Sequence, residues 1–184
     1  MEPYIKDPRF LRIGREFTNF SLRPREALAN WLLCVIGNYQ NGSNDLTFTE
    51  DPTGGDGMII NKQNKRFMLT EHVFIPEPKP NSIKTVQDLM IEAVAHKAKK
   101  GQLYARGKHL IIFSEAIGIW YPNRVGRMID GVHHFASAWA VGLEKRTGED
   151  DYQYWVAGFT NQHSPTWRIF IDFSVHEWKV IKVQ

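Results

Sequence analysis

The strongest constraint on this chain is a glutamate set inside an apolar strand. Residues 66–75 read Arg-Phe-Met-Leu-Thr-Glu-His-Val-Phe-Ile, rich in the aliphatic, aromatic and β-branched residues that favour strands. In an alternating strand Phe67, Leu69, Glu71, Val73 and Ile75 share one face, and Met68, Thr70, His72 and Phe74 share the other. Glu71 therefore lies on a mostly apolar face. A carboxylate there must be protonated, paired or bound to a cation, because bare burial of the charge is expensive.

The stretch before it supplies a second acid. Asp56 follows Gly54-Gly55 and opens the strand segment Gly57-Met58-Ile59-Ile60-Asn61, and Lys62-Gln63-Asn64-Lys65 is a polar hairpin connection. Antiparallel pairing around that turn sets Asp56 opposite Glu71, as cross-strand neighbours within roughly 5–6 Å. Two carboxylates at that spacing repel, and a divalent cation relieves the repulsion. Mg²⁺ takes one or two carboxylates plus waters, and the backbone carbonyl of His72 can add an oxygen. The competing reading is an exposed hairpin with Glu71 turned to water and Gly54-Gly55 as a plain turn.

The rest of the pattern is α/β. A chain of 184 residues suits a single domain, 1–184, with a sizeable core. Leu28, Trp31, Leu32, Val35 and Ile36 recur at helical spacing over about residues 23–38, with Pro24 in the first turn and Glu26 near the positive helix end. A short strand follows at 46–49. Val86, Leu89, Met90, Ala93 and Val94 predict a helix within 82–100, Leu110 to Phe113 a strand covered on both faces, and Val125 to Trp139 a helix over 123–140. Three strands close the chain at 154–159, 167–173 and 177–183. Residues 1–20 read as an arm packed on the domain.

Composition excludes several classes. The net charge of +3 is mild and permits a polyanionic partner without demanding one. Cys34 is the one cysteine, so no internal disulfide forms, and it reads as a buried small hydrophobe. No apolar run has the length of a membrane span and the start does not resemble a signal peptide, which sets the expectations of no membrane partner and a cytoplasmic location. His133-His134 point about 100° apart on a helix and cannot easily share a metal, whereas Asp130 and His134 lie one turn apart. Arg168 and Asp172 share a strand face and are expected to pair. No P-loop or Gly-x-Ser-x-Gly pattern is present.

Four features resemble the restriction-endonuclease-like core of the PD-(D/E)xK nuclease superfamily. Asp56 in Gly54-Gly55-Asp56-Gly57-Met58-Ile59 is similar to the family's aspartate at the start of the second core strand. Glu71 matches the first acid of its glutamate-x-lysine pair. The helical stretch 91–100 followed by Tyr104, and then Leu110-Ile111-Ile112-Phe113, resemble the helix and strand that come next. Glu26 falls where several members carry a further acid. The resemblance covers about residues 23–114, leaving 115–184 as a helix plus strands that complete the sheet. It implies a central mixed sheet flanked by helices, with additional C-terminal strands. It further implies Mg²⁺ or Mn²⁺ held by Asp56, Glu71 and the His72 carbonyl, and divalent-metal-dependent hydrolysis of phosphodiester bonds.

One position departs from the family. Val73 stands where the lysine belongs, two residues after the glutamate on the same face. That lysine orients the attacking water and offsets phosphate charge, which valine cannot do. Lys97 is the candidate replacement, because a helix packed over the strand can direct a long side chain toward it. Lys99, Lys100, Arg106 and Lys108 form a candidate patch for nucleic-acid phosphates, DNA in the first instance. Two readings stay open: a metal-dependent nuclease with Asp56, Glu71, Lys97 and Glu26 as catalytic residues, or a catalytically silent nuclease-fold domain that binds nucleic acid or a protein. A homodimer through the aromatic C-terminal strands is a further expected partner arrangement.

Overall fold

A computed structural model describes residues 2–6, 9–12, 21–79 and 81–184. Of the expected arm, the described parts are two short helices, α1 (Glu2–Lys6) and α2 (Arg9–Arg12). Ile5 and Leu11 lie buried in the core. The remainder of that arm lies outside the described residues, as does Pro80.

Helix α3 (Pro24–Asn41) begins with proline at its first turn, where the missing N–H costs nothing. It ends at Gly42, whose φ of 59° fits the left-handed C-terminal cap. Leu28, Leu32 and Ile36 recur along one face and are fully buried, each contributing about 1.5–3 kcal/mol through removal from water. Three antiparallel strands follow: β1 (Leu46–Thr49), β2 (Met58–Asn61) and β3 (Phe67–Ile75). Helices α4 (Val86–Ala98) and α5 (Gln102–Ala105) lead to β4 (Lys108–Ser114), which runs parallel to β3. Helix α6 (Pro122–Ile129) leads to β5 (Ser137–Arg146), parallel to β4. Strands β6 (Asp151–Phe159), β7 (Thr166–Asp172) and β8 (Glu177–Lys182) complete an antiparallel run.

The eight strands form one mixed sheet in sequence order, β1 to β8. The two parallel connections step in the same direction, and crossovers of one hand place their helices on one face. Accordingly α4 and α6 pack together, over Leu110, Ile112, Ala138 and Ala140. Helix α3 covers the other face, over Ile59, Ile111, Val141, Tyr154 and Trp167. Both edge strands, β1 and β8, touch α3, and Trp31 meets Trp178 edge-on at 5.6 Å. The sheet therefore curls around α3.

The helix expected over 123–140 stops at Ile129; Gly131 turns the chain at φ 73°, and Trp139 lies in β5. Asp130 and His134 therefore share no helix. Arg168 pairs with Glu144 at 2.7 Å, while Asp172 accepts from the Ser174 backbone. Cys34 is buried, and burial pushes its thiol up to about 12. Among the described residues no helix is long and apolar enough to cross a membrane.

Candidate functional site

The site is built on the hairpin and the strand that follows it. Met58 pairs with Leu69 and Ile60 with Phe67, and the Thr70 N–H donates to the Gly57 carbonyl at 2.8 Å. That register carries Asp56 level with Glu71. The Asp56 carboxylate then accepts the backbone N–H of His72 at 2.7 Å. The approach to Asp56 is held by Asp51, whose side chain accepts from Thr53 N–H and Gly55 N–H at 2.8 and 3.1 Å, an Asx-type turn. Gly57 cannot be replaced without disturbance. Its φ is 136°, and an added Cβ would lie 2.4 Å from the Asn30 amide nitrogen. Asn30 is itself buried, donating to the Asp56 carbonyl at 3.4 Å and accepting from the Thr70 hydroxyl at 2.9 Å.

Glu71 points from β3 toward α4 and is 4% exposed. Its neighbours come from three elements. Lys97, in the last turn of α4, places its Nζ 3.1 Å from Glu71 Oε2, 3.7 Å from Asp56 Oδ2 and 2.8 Å from the His72 carbonyl oxygen. Lys108, at the start of β4, lies 2.7 Å from Glu71 Oε1. The Tyr104 hydroxyl, from α5, donates to Glu71 Oε2. Lys100 donates to the Tyr104 hydroxyl at 3.0 Å, and the ammoniums of Lys100 and Lys108 each sit 4.3 Å from the tyrosine ring centre.

These contacts decide the charge states. Burial alone would raise the Glu71 carboxyl, but the bonds from Lys108, Tyr104 and Lys97 overcome it and hold the group at about 2. Burial and the bond to Glu71 push the Tyr104 phenol upward, so the hydroxyl keeps its proton and serves as a donor. The cluster holds three ammoniums against two carboxylates, a balance that suits an anionic ligand. Its oxygens are of the hard type that Mg²⁺ and Mn²⁺ prefer. Among the described residues no three His, Cys, Asp or Glu side chains gather closely enough to hold a metal ion. The oxygens of Asp56, Glu71 and the His72 carbonyl instead face the Lys97 ammonium.

The remaining sequence candidates fall elsewhere. Glu26 is buried at the start of α3 and spends its carboxylate on Arg23, accepting the backbone N–H at 2.9 Å and the guanidinium at 3.0 Å. It acts as a helix cap rather than as part of the carboxylate pair; burial raises its pKa, and Asp56 adds to that. Lys99 and Arg106 are exposed at the ends of α4 and α5. Lys108, expected to face phosphate, is engaged with Glu71. Val73 lies on the Glu71 face, packed against the α4 layer. The His72 ring lies buried, and neither ring nitrogen has a hydrogen-bond partner among the described residues. Burial holds its imidazole down at about 4, so it is neutral near pH 7. The sequence marks Tyr104 only as the residue that follows a helical stretch. Its place four residues from both Lys100 and Lys108 is readable in the sequence, but its contact with Glu71 depends on the turn made by α5.

Comparison with known proteins adds little to this geometry. No protein-family profile and no curated protein matches the chain. Among solved structures, the central domain of yeast acetyl-CoA carboxylase is similar at 8% identity and a TM-score of 0.38. That alignment covers 76% of this chain and 24% of the other, so the chain spans about a quarter of the protein it resembles.

Proposed function

We propose that this protein is a divalent-metal-dependent nuclease with a restriction-endonuclease-like core, in which Lys97 takes the role of the missing strand lysine. The observation that carries the reading is the convergence of one lysine nitrogen on three oxygens: Glu71, Asp56 and the His72 carbonyl, at 3.1, 3.7 and 2.8 Å. Further support comes from the order of elements from α3 to β4, helix, three strands, two helices and strand, with α3 and α4 on opposite sheet faces.

Mg²⁺ or Mn²⁺ bound by Asp56, Glu71 and the His72 carbonyl supplies Lewis-acid polarisation of a phosphoryl oxygen. The chain's own residues do the rest. Lys97 offsets negative charge developing on the phosphate and orients the attacking water. Lys108 and Tyr104 keep Glu71 ionised and fixed in direction. Lys100, Lys99 and Arg106 contact backbone phosphates of a DNA strand, giving salt-dependent affinity without sequence choice.

The test is cleavage of plasmid and single-stranded DNA in Mg²⁺ or Mn²⁺. The reading expects cleavage by the wild type, none in EDTA, and none by Asp56→Ala. Equal cleavage by the variant would assign the activity to a contaminant. A silent nucleic-acid-binding domain is the second reading. It is favoured by the same lysine, which already neutralises the carboxylates, and by Val73. It expects DNA binding that weakens with salt and is unaffected by EDTA, with no cleavage.

A further inference from the structure

We propose that Lys97 is an internal cation standing in the metal position of this site, and that Mg²⁺ or Mn²⁺ binds by displacing it. The inference rests on the metal-dependent reading above and concerns how that site is controlled. The three oxygens assigned to the metal are the three that surround the Lys97 ammonium. The ammonium lies 2.8 and 3.1 Å from two of them and at ion-pair distance, 3.7 Å, from the third, whereas a divalent ion draws oxygens in to about 2.0–2.2 Å. Two cations cannot occupy that space together, because like charges so close repel strongly in a partly buried site.

The surroundings make displacement feasible. Glu71 keeps Lys108 on its other oxygen at 2.7 Å, so removing Lys97 does not strip it of countercharge. Asp56 keeps the His72 N–H. Lys97 sits in the last turn of α4 on a flexible four-carbon stem. Released from the oxygens, the ammonium is free to face a phosphate. Metal entry and the freeing of Lys97 are therefore one event. The metal-free protein holds its own site closed and its carboxylates unstrained.

The experiment measures Mn²⁺ affinity by calorimetry and electron paramagnetic resonance, for the wild type, Lys97→Met, and Lys97→Met combined with Asp56→Asn. Losing one charge-assisted bond set is expected to tighten Mn²⁺ binding about tenfold to a hundredfold in Lys97→Met, and the added Asp56→Asn removes that gain. Equal affinity in wild type and Lys97→Met overturns the displacement while leaving a metal site in place. Absence of Mn²⁺ binding in every form overturns both the displacement and the metal-dependent reading. A second measurement uses the wild type alone. In ¹⁵N-lysine spectra the half-buried, ion-paired Lys97 ammonium is expected to be protected from exchange without metal and to lose that protection as Mg²⁺ is added; unchanged protection at saturating Mg²⁺ refutes the proposal.

Discussion

Glu71 and His72 are adjacent on β3 and nearly equally buried, at 4% and 8% exposure, yet they face opposite sides of the sheet and meet opposite chemistry. Glu71 looks toward α4 and receives Lys97, Lys108 and Tyr104. His72 looks toward α3, where its ring nitrogens find no partner among the described residues. The first group stays charged despite burial; the second is driven neutral by it. Burial sets the cost of a charge, but the number of donors aimed at the group decides whether it is carried. A sheet face that aims three donors at one carboxylate is organised for charge, while the opposite face a residue away is organised for packing.

The largest effect expected from this contrast is on the charged side. Glu71→Leu leaves Lys97 and Lys108 facing each other without their shared carboxylate. It should cost about 4 kcal/mol in urea unfolding, in line with other broken buried pairs. A loss below about 1 kcal/mol would mean that the lysines relax into water and that the cluster is not a fixed unit.

Acid should separate the two residues next. The unfolded chain protonates His72 near 6.5, whereas the folded protein resists until about 4. In that window the unfolded state binds more protons, so stability rises with pH and falls as pH drops from 6.5 to 4, by about 3 kcal/mol at most. Glu71 acts lower: its folded value of about 2 against 4.5 unfolded makes stability fall as pH drops from 4.5 toward 2. Unfolding curves across pH 7 to 3 should show the first window vanish in His72→Leu and the second persist. A first window that survives in His72→Leu assigns it to another group.

The smallest effect belongs to His72→Leu at pH 7.5. With no ring hydrogen bond among the described residues to lose and a neutral ring to replace, it should shift stability by no more than about 1 kcal/mol. A loss above about 2 kcal/mol would reveal that the ring nitrogens are satisfied by buried water or a ligand.

Much of the charged side was legible in the sequence. The polar tetrapeptide 62–65 marked the hairpin, and counting outward from it sets Asp56 beside Glu71 because antiparallel register is rigid once the turn is known. Lys97 could be proposed because a helix crossing over a strand delivers a long side chain to it. The failures have physical causes too. Residues 135–141, Phe-Ala-Ser-Ala-Trp-Ala-Val, are apolar or small at almost every position, so helix and buried strand read alike. Gly131, at φ 73°, was the one local mark of the break. Glu26 was read by its place near the helix start, but three residues after Arg23 it closes the cap instead. Lys108 looked like a surface lysine because its distance from Glu71 in sequence hid the parallel pairing of β3 and β4 that brings them together.

The most direct test is a crystal grown with Mn²⁺ and measured for anomalous scattering. The account predicts one strong peak enclosed by the Asp56 and Glu71 carboxylates and the His72 carbonyl, with the Lys97 nitrogen moved away, and no such peak in Asp56→Asn. A map with no peak at that position, and the Lys97 nitrogen still among the three oxygens at saturating Mn²⁺, would contradict it.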